Sequence, residues 1–169
     1  MQTVEPVVPA ETIRRSVRSG KYLAFNLGKE MYGLHVSKVR EIVGYQETAS
    51  VPYTPSYVRG VINLRGKLIP VVDLRMKFGL DGSDHNERTC VIVVQVPGEH
   101  DTFLLGVVVD GVSEVLTFAE SEIEDTPDFG DGAADGAILG IAKGKNGIYV
   151  LLDIDRVLGR QELRSNPGA

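Results

Sequence analysis

Polar and apolar residues alternate in two short segments near the start of the chain, which is the pattern of half-buried strands. Lys21–Leu27 (KYLAFNL) and Glu30–Val36 (EMYGLHV) are joined by Gly28-Lys29, a two-residue connection typical of a β-hairpin. Ser37–Ile42 (SKVREI) is richer in helix-forming residues, and its serine can cap a helix N-terminus. The pattern therefore predicts two strands followed by one helical turn.

The same alternation returns after Val51–Val58, a proline-containing connector that we expect to be bent. Val61–Leu64 and Lys67–Leu74 are predicted strands. Arg65-Gly66 between them is a predicted tight turn, because glycine can supply the positive φ that such a turn needs. Asp73–Leu80 is a predicted short helix that ends at its glycine.

Asp81–Glu87 is a polar linker and the predicted domain boundary. Beyond it, the pattern predicts a second hairpin, a further strand, a final pair of strands and a closing helical turn. In chain order these are Arg88–Val96 with Phe103–Val109, then Gly111–Phe118, then Ile138–Lys143 with Ile148–Ile154, then Asp155–Leu158. Short strands punctuated by glycine turns favour small barrels over an α/β sheet.

Two stretches of the chain occur twice, which indicates two copies of one structural unit. Gly60–Gly79 aligns without a gap with Gly140–Gly159, at an offset of 80 residues. Gly33–Val43 aligns with Gly106–Leu116, at an offset of 73 residues. We therefore predict a mainly β domain over residues 20–160, built from two five-stranded barrels with short helices. The first barrel is expected at approximately residues 20–80 and the second at approximately residues 88–160.

Three segments lack a regular pattern. Residues 1–19 are a predicted mobile arm with a basic end, and residues 161–169 are a predicted frayed tail. Ala119–Gly136 is a long acidic loop without lysine or arginine. A solvated linker is the simpler interpretation of this loop, but it contains Pro127-Asp128-Phe129, a rigid turn that could present an aromatic ring. An exposed phenylalanine flanked by charge is typical of an interface anchor.

The composition is that of a soluble globular protein, with 43% hydrophobic and 24% charged residues among 169. A net charge of −5 argues against a nucleic-acid partner, since phosphate binding needs concentrated lysine and arginine. Cys90 is the only cysteine, so no disulfide forms within the chain, and a reducing compartment fits. No signal-peptide core precedes the domain, and no apolar run approaches the ~20 residues of a membrane helix. We expect a cytoplasmic protein without direct membrane insertion.

No group of residues has the spacing of a catalytic or metal site. The three histidines are spread over a strand, the linker and a hairpin tip. Asp153 and Asp155 could hold a cation from one face of a strand. However, Asp153 repeats Asp73 of the first copy, which favours a structural role at a turn. Phosphate-binding loops and the GxSxG motif are absent from the sequence, so we expect no enzyme activity, no cofactor and no metal.

Arg65 is a candidate contact residue. It occupies the predicted turn of the first copy, whereas the corresponding turn of the second copy, Lys143–Asn146, has no arginine. Duplicated units diverge where their functions differ, so an arginine on an exposed turn indicates contact with a partner. A generic polar turn residue is the alternative.

Three motifs give the chain a strong resemblance to the CheW family of bacterial chemosensory adaptors. They are FNLGKEMYGLHVSKVREIVGY (Phe25–Tyr45), VRGVINLRGKLIPVVDLRMKFG (Val58–Gly79) and GVVVDGVSEVL (Gly106–Leu116). The resemblance runs from about Lys21 to Gly159. Proteins of this family are built from two five-stranded, SH3-like β-barrels, in agreement with the repeat.

The resemblance implies a non-catalytic adaptor that couples the cytoplasmic tips of methyl-accepting chemoreceptors to the histidine kinase CheA. Its barrels would contact the CheW-like regulatory domain of the kinase and other CheW-like domains, in rings at membrane-associated receptor arrays. A receptor hairpin would lie in the groove between the barrels. The implied contact residues are Val39 and Glu41 towards the receptor, Gly60 and Arg65 near the groove and ring contacts, Gly106 in the second barrel, and Asp128 with Phe129 towards the kinase.

Other functions stay open at this point. A small β-barrel enzyme would need an acid–base or nucleophile cluster, and an OB-type nucleic-acid-binding barrel would need basic grooves with interleaved aromatic residues. An adaptor of a chemosensory pathway for pili, development or second-messenger synthesis would share the motifs of the leading interpretation. A chain of 169 residues leaves no room for an attached receiver or kinase domain, which favours a free-standing adaptor.

Overall fold

The computed structural model describes residues 18–80, 85–127 and 136–158, and it confirms the predicted mainly β fold. The strands are β1 (Gly20–Leu27), β2 (Glu30–His35), β3 (Val39–Gly44), β4 (Val58–Leu64), β5 (Lys67–Asp73), β6 (Cys90–Pro97), β7 (Thr102–Val109), β8 (Gly111–Phe118), β9 (Ile123–Glu124), β10 (Ile138–Gly144) and β11 (Gly147–Leu152). Two short α-helices, α1 (Leu74–Lys77) and α2 (Ile154–Leu158), follow β5 and β11. The predicted tail and most of the predicted arm lie outside the described residues.

The strands form two sheets. One has six strands in the order β8-β1-β2-β11-β10-β9, and the other has five in the order β3-β6-β7-β5-β4. Most neighbouring strands are antiparallel, but β2 runs parallel to β11 and β5 runs parallel to β7. The two parallel pairs are related by the repeat, since Gly33 lies opposite Leu151 and Gly106 lies opposite Val71.

Each sheet takes strands from both copies of the repeat. Hairpin β1–β2 of the first copy pairs with β8 and β11 of the second copy, and hairpin β6–β7 of the second copy pairs with β3 and β5 of the first. This strand order corrects the predicted division into one barrel from residues 20–80 and another from 88–160. Alternation along a strand determines which face is buried but not which strand lies beside it, and two similar copies offer each hairpin equivalent neighbours.

The repeat is visible in local geometry. Hairpins β4–β5 and β10–β11 both contain a register shift, between Val58 and Gly60 in the first and between Ile138 and Gly140 in the second. Both hairpins end in the same backbone hydrogen bond. Asp73 N donates to Tyr57 O at 2.7 Å, and Asp153 N donates to Ala137 O at 2.8 Å. The predicted correspondence between these two segments of the repeat is therefore confirmed.

The buried side chains form three layers, because successive residues of a strand point to opposite faces. On β6, Ile92 and Val94 face the layer between the sheets, whereas Val91 and Val93 face the interior of the five-stranded unit. The third layer fills the six-stranded unit. It contains Tyr22, Ala24, Phe118, Ile123, Leu139, Ala142, Tyr149 and Leu151. The layer between the sheets draws on both copies and joins the two units.

The helical turn predicted for Ser37–Ile42 is only partly correct. A 3-10 turn covers Val36–Lys38, and its N-cap is His35 rather than Ser37. The rest of the segment belongs to β3, where Ile42 pairs with Ile92 of β6. Pairing with a buried central strand overrides the modest helix propensity of lysine, arginine and glutamate.

Candidate protein-binding surface

The turn between β4 and β5 presents Arg65 to solvent. Arg65 has φ 52° and Gly66 has φ 88°, so both central residues of the turn are left-handed, as in the tight turns that suit a twisted hairpin. Asn63 Oδ1 accepts from Gly66 N at 2.8 Å and holds the turn closed. Positive φ is uncommon for a residue with a side chain, so the backbone here is strained at the arginine.

The structure brings Arg65 together with Glu41. Their side chains form an ion pair, although β3 and β4 are opposite edges of the five-stranded sheet. The sheet must therefore curl until its two edges approach, as a small barrel requires. A hydrogen bond to the Glu41 carboxylate raises the pKa of Arg65. Two of the predicted contact residues thus form one charged site, in which Arg65 is exposed and Glu41 is half-buried.

Val39 lies at the start of β3, close to Glu41 on the same strand. It is half-buried and packs against the core layer between the sheets. A register shift separates it from Glu41, since Val39 pairs with Val94 and Glu41 pairs with Val93. Val39 therefore marks the edge of the space between the two units, whereas Glu41 points towards the turn.

Gly60 and Gly106 are both buried, and the structure gives both a packing role. Gly60 has φ 131°, and a Cβ added there would lie 2.0 Å from Ala49 O. Ala49 pairs with Val61 through a single bridge, so Gly60 permits this close approach of two backbones. A Cβ on Gly106 would lie 2.8 Å from Val91 Cγ1. Substitution at either glycine would disturb the strands that carry the surface rather than remove a contacting side chain.

Four exposed apolar residues were missed in the sequence, and the repeat relates them in pairs. Leu68 is 71% exposed and Ile148, 80 residues further, is 60% exposed. Ile42 is 44% exposed and Val115, 73 residues further, is 53% exposed. Ile42 and Val115 pair with Ile92 and Leu23, which belong to the core layer between the sheets. The sequence did contain a signal for these exposed residues. Apolar residues occupy equivalent positions in both copies of the repeat, next to polar turns.

An ionic network centred on the buried Asp73 and Arg75 joins the two sheets. Arg75 donates to both carboxylate oxygens of Asp73, at 3.0 and 2.9 Å, and Arg59 Nη2 lies 2.8 Å from the same carboxylate. Arg75 Nη1 also contacts Asp110 at 3.1 Å, and Asp110 accepts from Gly28 N at 2.6 Å. The network links α1, the β7–β8 connection and the β1–β2 turn.

The charges of this network determine the protonation of Asp73, which is fully buried. Burial alone would raise the pKa of its carboxyl, but the hydrogen bonds and charges of Arg75 and Arg59 outweigh burial and hold the pKa below its ordinary value. Asp73 Oδ1 also accepts from Arg75 N at 3.0 Å and so caps α1. The predicted structural role of this aspartate at a turn is confirmed.

Asp128 and Phe129 lie outside the described residues, so their expected contact with the kinase stays a prediction. Within residues 18–80, 85–127 and 136–158, no group of three or more His, Cys, Asp or Glu side chains could hold a metal ion. Over the same ranges, none of the helices is long and apolar enough to cross a membrane. The geometry of the described surface is that of exposed charge and exposed apolar side chains on a rigid β scaffold.

Comparison with known proteins decides the family. Residues 21–162 match the model of the CheW-like domain. The chain belongs to the CheW family. The resemblance inferred from the three motifs is therefore confirmed, and so is the expectation of two SH3-like subdomains, although their strands are interleaved.

Relatives in the CheW family cover most of the chain. It is 37% identical over 143 residues to the chemotaxis protein CheW of Klebsiella aerogenes, covering 85% of this chain and 84% of that protein. It is 31% identical over 140 residues to the chemotaxis protein CheW of Rhizobium meliloti, covering 83% and 88%. The crystal structure of the scaffolding protein TtCheW from Thermoanaerobacter tengcongensis is similar, with a TM-score of 0.72, 32% identity and coverage of 82% of this chain and 92% of that one. These relatives favour a chemotaxis adaptor over an adaptor of a non-flagellar pathway.

Proposed function

We propose that this chain is a non-catalytic adaptor that couples the cytoplasmic tips of methyl-accepting chemoreceptors to the histidine kinase CheA. Membership of the CheW family over residues 21–162 is the observation that carries this proposal. The relatives are named as chemotaxis proteins, and the similar crystal structure is described as that of a scaffolding protein. A scaffold acts by presenting surfaces, so the exposed residues of the two sheets supply the contacts.

The receptor-side contact uses β3 and the β4–β5 turn. The Arg65 guanidinium is exposed and paired only at the surface with Glu41, so a carboxylate on a partner can compete for its planar fork. Ile42 on β3 and Leu68 on β5, the strand that follows the turn, also expose apolar side chains. Apolar contacts bordered by charge are typical of protein interfaces. An amphipathic receptor helix would lie with its apolar face on this surface.

The duplicated surface explains how one small chain can join several partners. The second copy exposes Val115 and Ile148 at positions equivalent to Ile42 and Leu68, but its turn carries Lys145 in place of Arg65. Two similar but non-identical surfaces on one chain favour head-to-tail contacts, which close into rings when the rotation permits. We propose that the second copy contacts a CheW-like domain, either that of the kinase or that of another adaptor.

This function places the chain at membrane-associated receptor arrays on the cytoplasmic side. The chain would be attached there by binding the tips of the receptors. The adaptor itself neither binds nor hydrolyses ATP under this proposal. Saturable ATP turnover by the purified chain, free of kinase, would contradict that part of the proposal.

Sedimentation of kinase with receptor-containing vesicles tests the coupling. CheA is expected to sediment with vesicles of receptor only when the chain is present, because the adaptor bridges the two partners. Leu68→Ser should reduce the sedimented kinase, whereas Lys67→Ala, a change at the neighbouring exposed residue, should not. Equal sedimentation of CheA with and without the chain would overturn the proposed function.

A further inference from the structure

The turn between β10 and β11 contains an asparagine that is followed directly by a glycine. Of the five asparagines in the chain, only Asn146 precedes a glycine. The other four precede Leu27, Leu64, Glu87 and Pro167. The repeat places Asn146 at the position that Gly66 occupies in the first copy. Asn146 is therefore a difference between the copies, at a turn that both copies share.

The Asn146 side chain is open to solvent. Lys145 and Gly147, on either side of it, are exposed as well. Within the part of the chain that the structure describes, the Asn146 carboxamide forms no hydrogen bond. A Cβ added to Gly147 would meet nothing within 4 Å, so the approach to the peptide between the two residues is unobstructed.

Two other exposed asparagines differ from Asn146, because hydrogen bonds hold their side chains in place. Asn63 Oδ1 accepts from Gly66 N at 2.8 Å, and Asn86 Oδ1 accepts from Arg88 N at 2.7 Å. Both are also followed by a residue with a Cβ, which hinders approach to the next backbone nitrogen. They are therefore matched controls for Asn146 within the same molecule.

These features suit a reaction of the Asn146 carboxamide with the next backbone nitrogen. Hydroxide removes the proton of Gly147 N, and the electron pair of this nitrogen attacks Asn146 Cγ. The bond from Cγ to Nδ2 breaks, Nδ2 takes a proton from water and leaves as ammonia, and a cyclic succinimide remains. Water then adds to either carbonyl carbon of the ring and opens it to aspartate or isoaspartate. The net reaction consumes water and releases ammonia, and it needs no oxidant or reductant.

The turn must open for this attack, and its place in the hairpin permits opening. Gly144 and Gly147 are the last residue pair of the ladder between β10 and β11. Terminal pairs of a ladder open at the lowest free-energy cost. Gly147 has φ 128°, a conformation that residues with a Cβ rarely adopt. The turn therefore favours the same glycine that makes the preceding asparagine reactive.

We propose that Asn146 is a site of spontaneous deamidation in the folded protein. The reaction adds one negative charge to a chain of net charge −5. The new carboxylate lies directly after Lys145 and two residues before the exposed Ile148, and isoaspartate also lengthens the backbone of the turn. The modified turn thus belongs to the surface proposed to contact a CheW-like domain. That consequence rests on the proposed function, but the reaction itself does not.

Incubation of the purified chain in neutral and in mildly alkaline buffer tests the inference. Peptide mass spectrometry with enzymatic detection of isoaspartate follows each asparagine over time. We expect aspartate and isoaspartate to accumulate at Asn146, and faster at the higher pH. Asn63 and Asn86 should react at least roughly tenfold more slowly, because hydrogen bonds to the backbone hold their carboxamides. Asn146→Gly, which copies the turn of the first unit, should not form the acidic species that ion-exchange chromatography separates from wild type.

A synthetic peptide of residues 141–150 gives the rate of the same sequence without the fold. An intact Asn146 in the folded chain, under conditions in which the peptide reacts, would overturn the inference, because the turn would then protect the residue. Equal rates at Asn63, Asn86 and Asn146 would overturn it as well. Deamidation at Asn146 in a chain that binds no CheW-like domain would contradict the proposed function and support the modification site.

Discussion

Arg65 combines backbone strain with exposure. Its φ of 52° would suit glycine better, yet the position carries a long charged side chain that is 70% exposed. Strain that folding does not need is typical of functional sites. The sequence predicted the turn and the candidate arginine, because Gly66 and the divergence between copies were visible. The pairing with Glu41 was not predictable, since it depends on curling of the sheet.

Replacement of Arg65 should separate stability from coupling. Arg65→Gly relieves the left-handed backbone and removes only an exposed ion pair, so its melting temperature should equal or exceed that of wild type. Binding to receptor and kinase together should weaken roughly tenfold if the guanidinium contacts a partner carboxylate. Lys67→Ala is the matched control, and melting curves with a co-sedimentation assay are the measurements. A clear loss of melting temperature in Arg65→Gly would assign the arginine to the fold.

Asp73 should make stability depend on pH in the acid range. Its pKa is lowered in the folded protein, so the folded state binds fewer protons than the unfolded state. Its contribution is complete above about pH 4, the ordinary pKa of an aspartate, and is lost as pH falls through the lower folded pKa. Urea unfolding from about pH 7 down to about pH 2 measures this.

Removal of the Asp73 charge gives the control for that experiment. Asp73→Asn should reduce the dependence of the unfolding free energy on pH in the acid range. Asp73→Ala should lower the unfolding free energy by about 3–5 kcal/mol, because two arginines lose a buried partner. Identical acid unfolding of wild type and Asp73→Asn would show that other carboxylates cause the dependence.

At the scale of elements, the positions of the strands and turns were predictable, but which strands lie side by side was not. Hairpins β1–β2, β4–β5, β6–β7 and β10–β11 all appear where alternation and glycine turns predicted them. The helix-forming residues after β2 predict a helical turn, but only Val36–Lys38 forms a 3-10 turn, and Val39–Gly44 is an edge strand beside β6. Local propensity is weak compared with pairing to a buried strand.

Gly60 should be required for the close approach of edge strand β4 to Ala49. Gly60→Ala places a Cβ against Ala49 O in a left-handed backbone and should cost about 1–3 kcal/mol of unfolding free energy. Gly44→Ala is the matched control on an edge strand, where a Cβ meets nothing within 4 Å, and it should change stability by less than about 0.5 kcal/mol. Chemical denaturation measures both. Equal stability of the two variants would mean that Ala49 moves away at no cost.

For the whole molecule, the exchange of strands between copies is the feature that sequence patterns did not reveal. Two ion pairs between the copies accompany this exchange of strands. Arg75 of the first copy contacts Asp110 of the second, whereas Asp155 of the second copy contacts Lys38 of the first, at 2.7 Å. Both ion pairs join residues of different copies, so they contribute to holding the interleaved arrangement together.

A cut in the predicted linker should leave one folded unit. A protease site placed within residues 81–84 allows cleavage between the copies. Because each sheet needs strands of both copies, the two fragments should elute together in size-exclusion chromatography and unfold in one transition. Neither fragment expressed alone should show cooperative melting. Two fragments that separate and each unfold cooperatively would contradict the interleaved topology.

The most direct test of the adaptor function is receptor-dependent activation of the kinase. Autophosphorylation of CheA is measured with receptor-containing vesicles, with and without the chain, and again with Arg65→Ala. We expect strong stimulation of CheA only when receptor and wild-type chain are both present, and markedly less stimulation with the folded Arg65→Ala variant. CheA activity that is the same with and without the chain would contradict the assignment of this protein as a coupling adaptor.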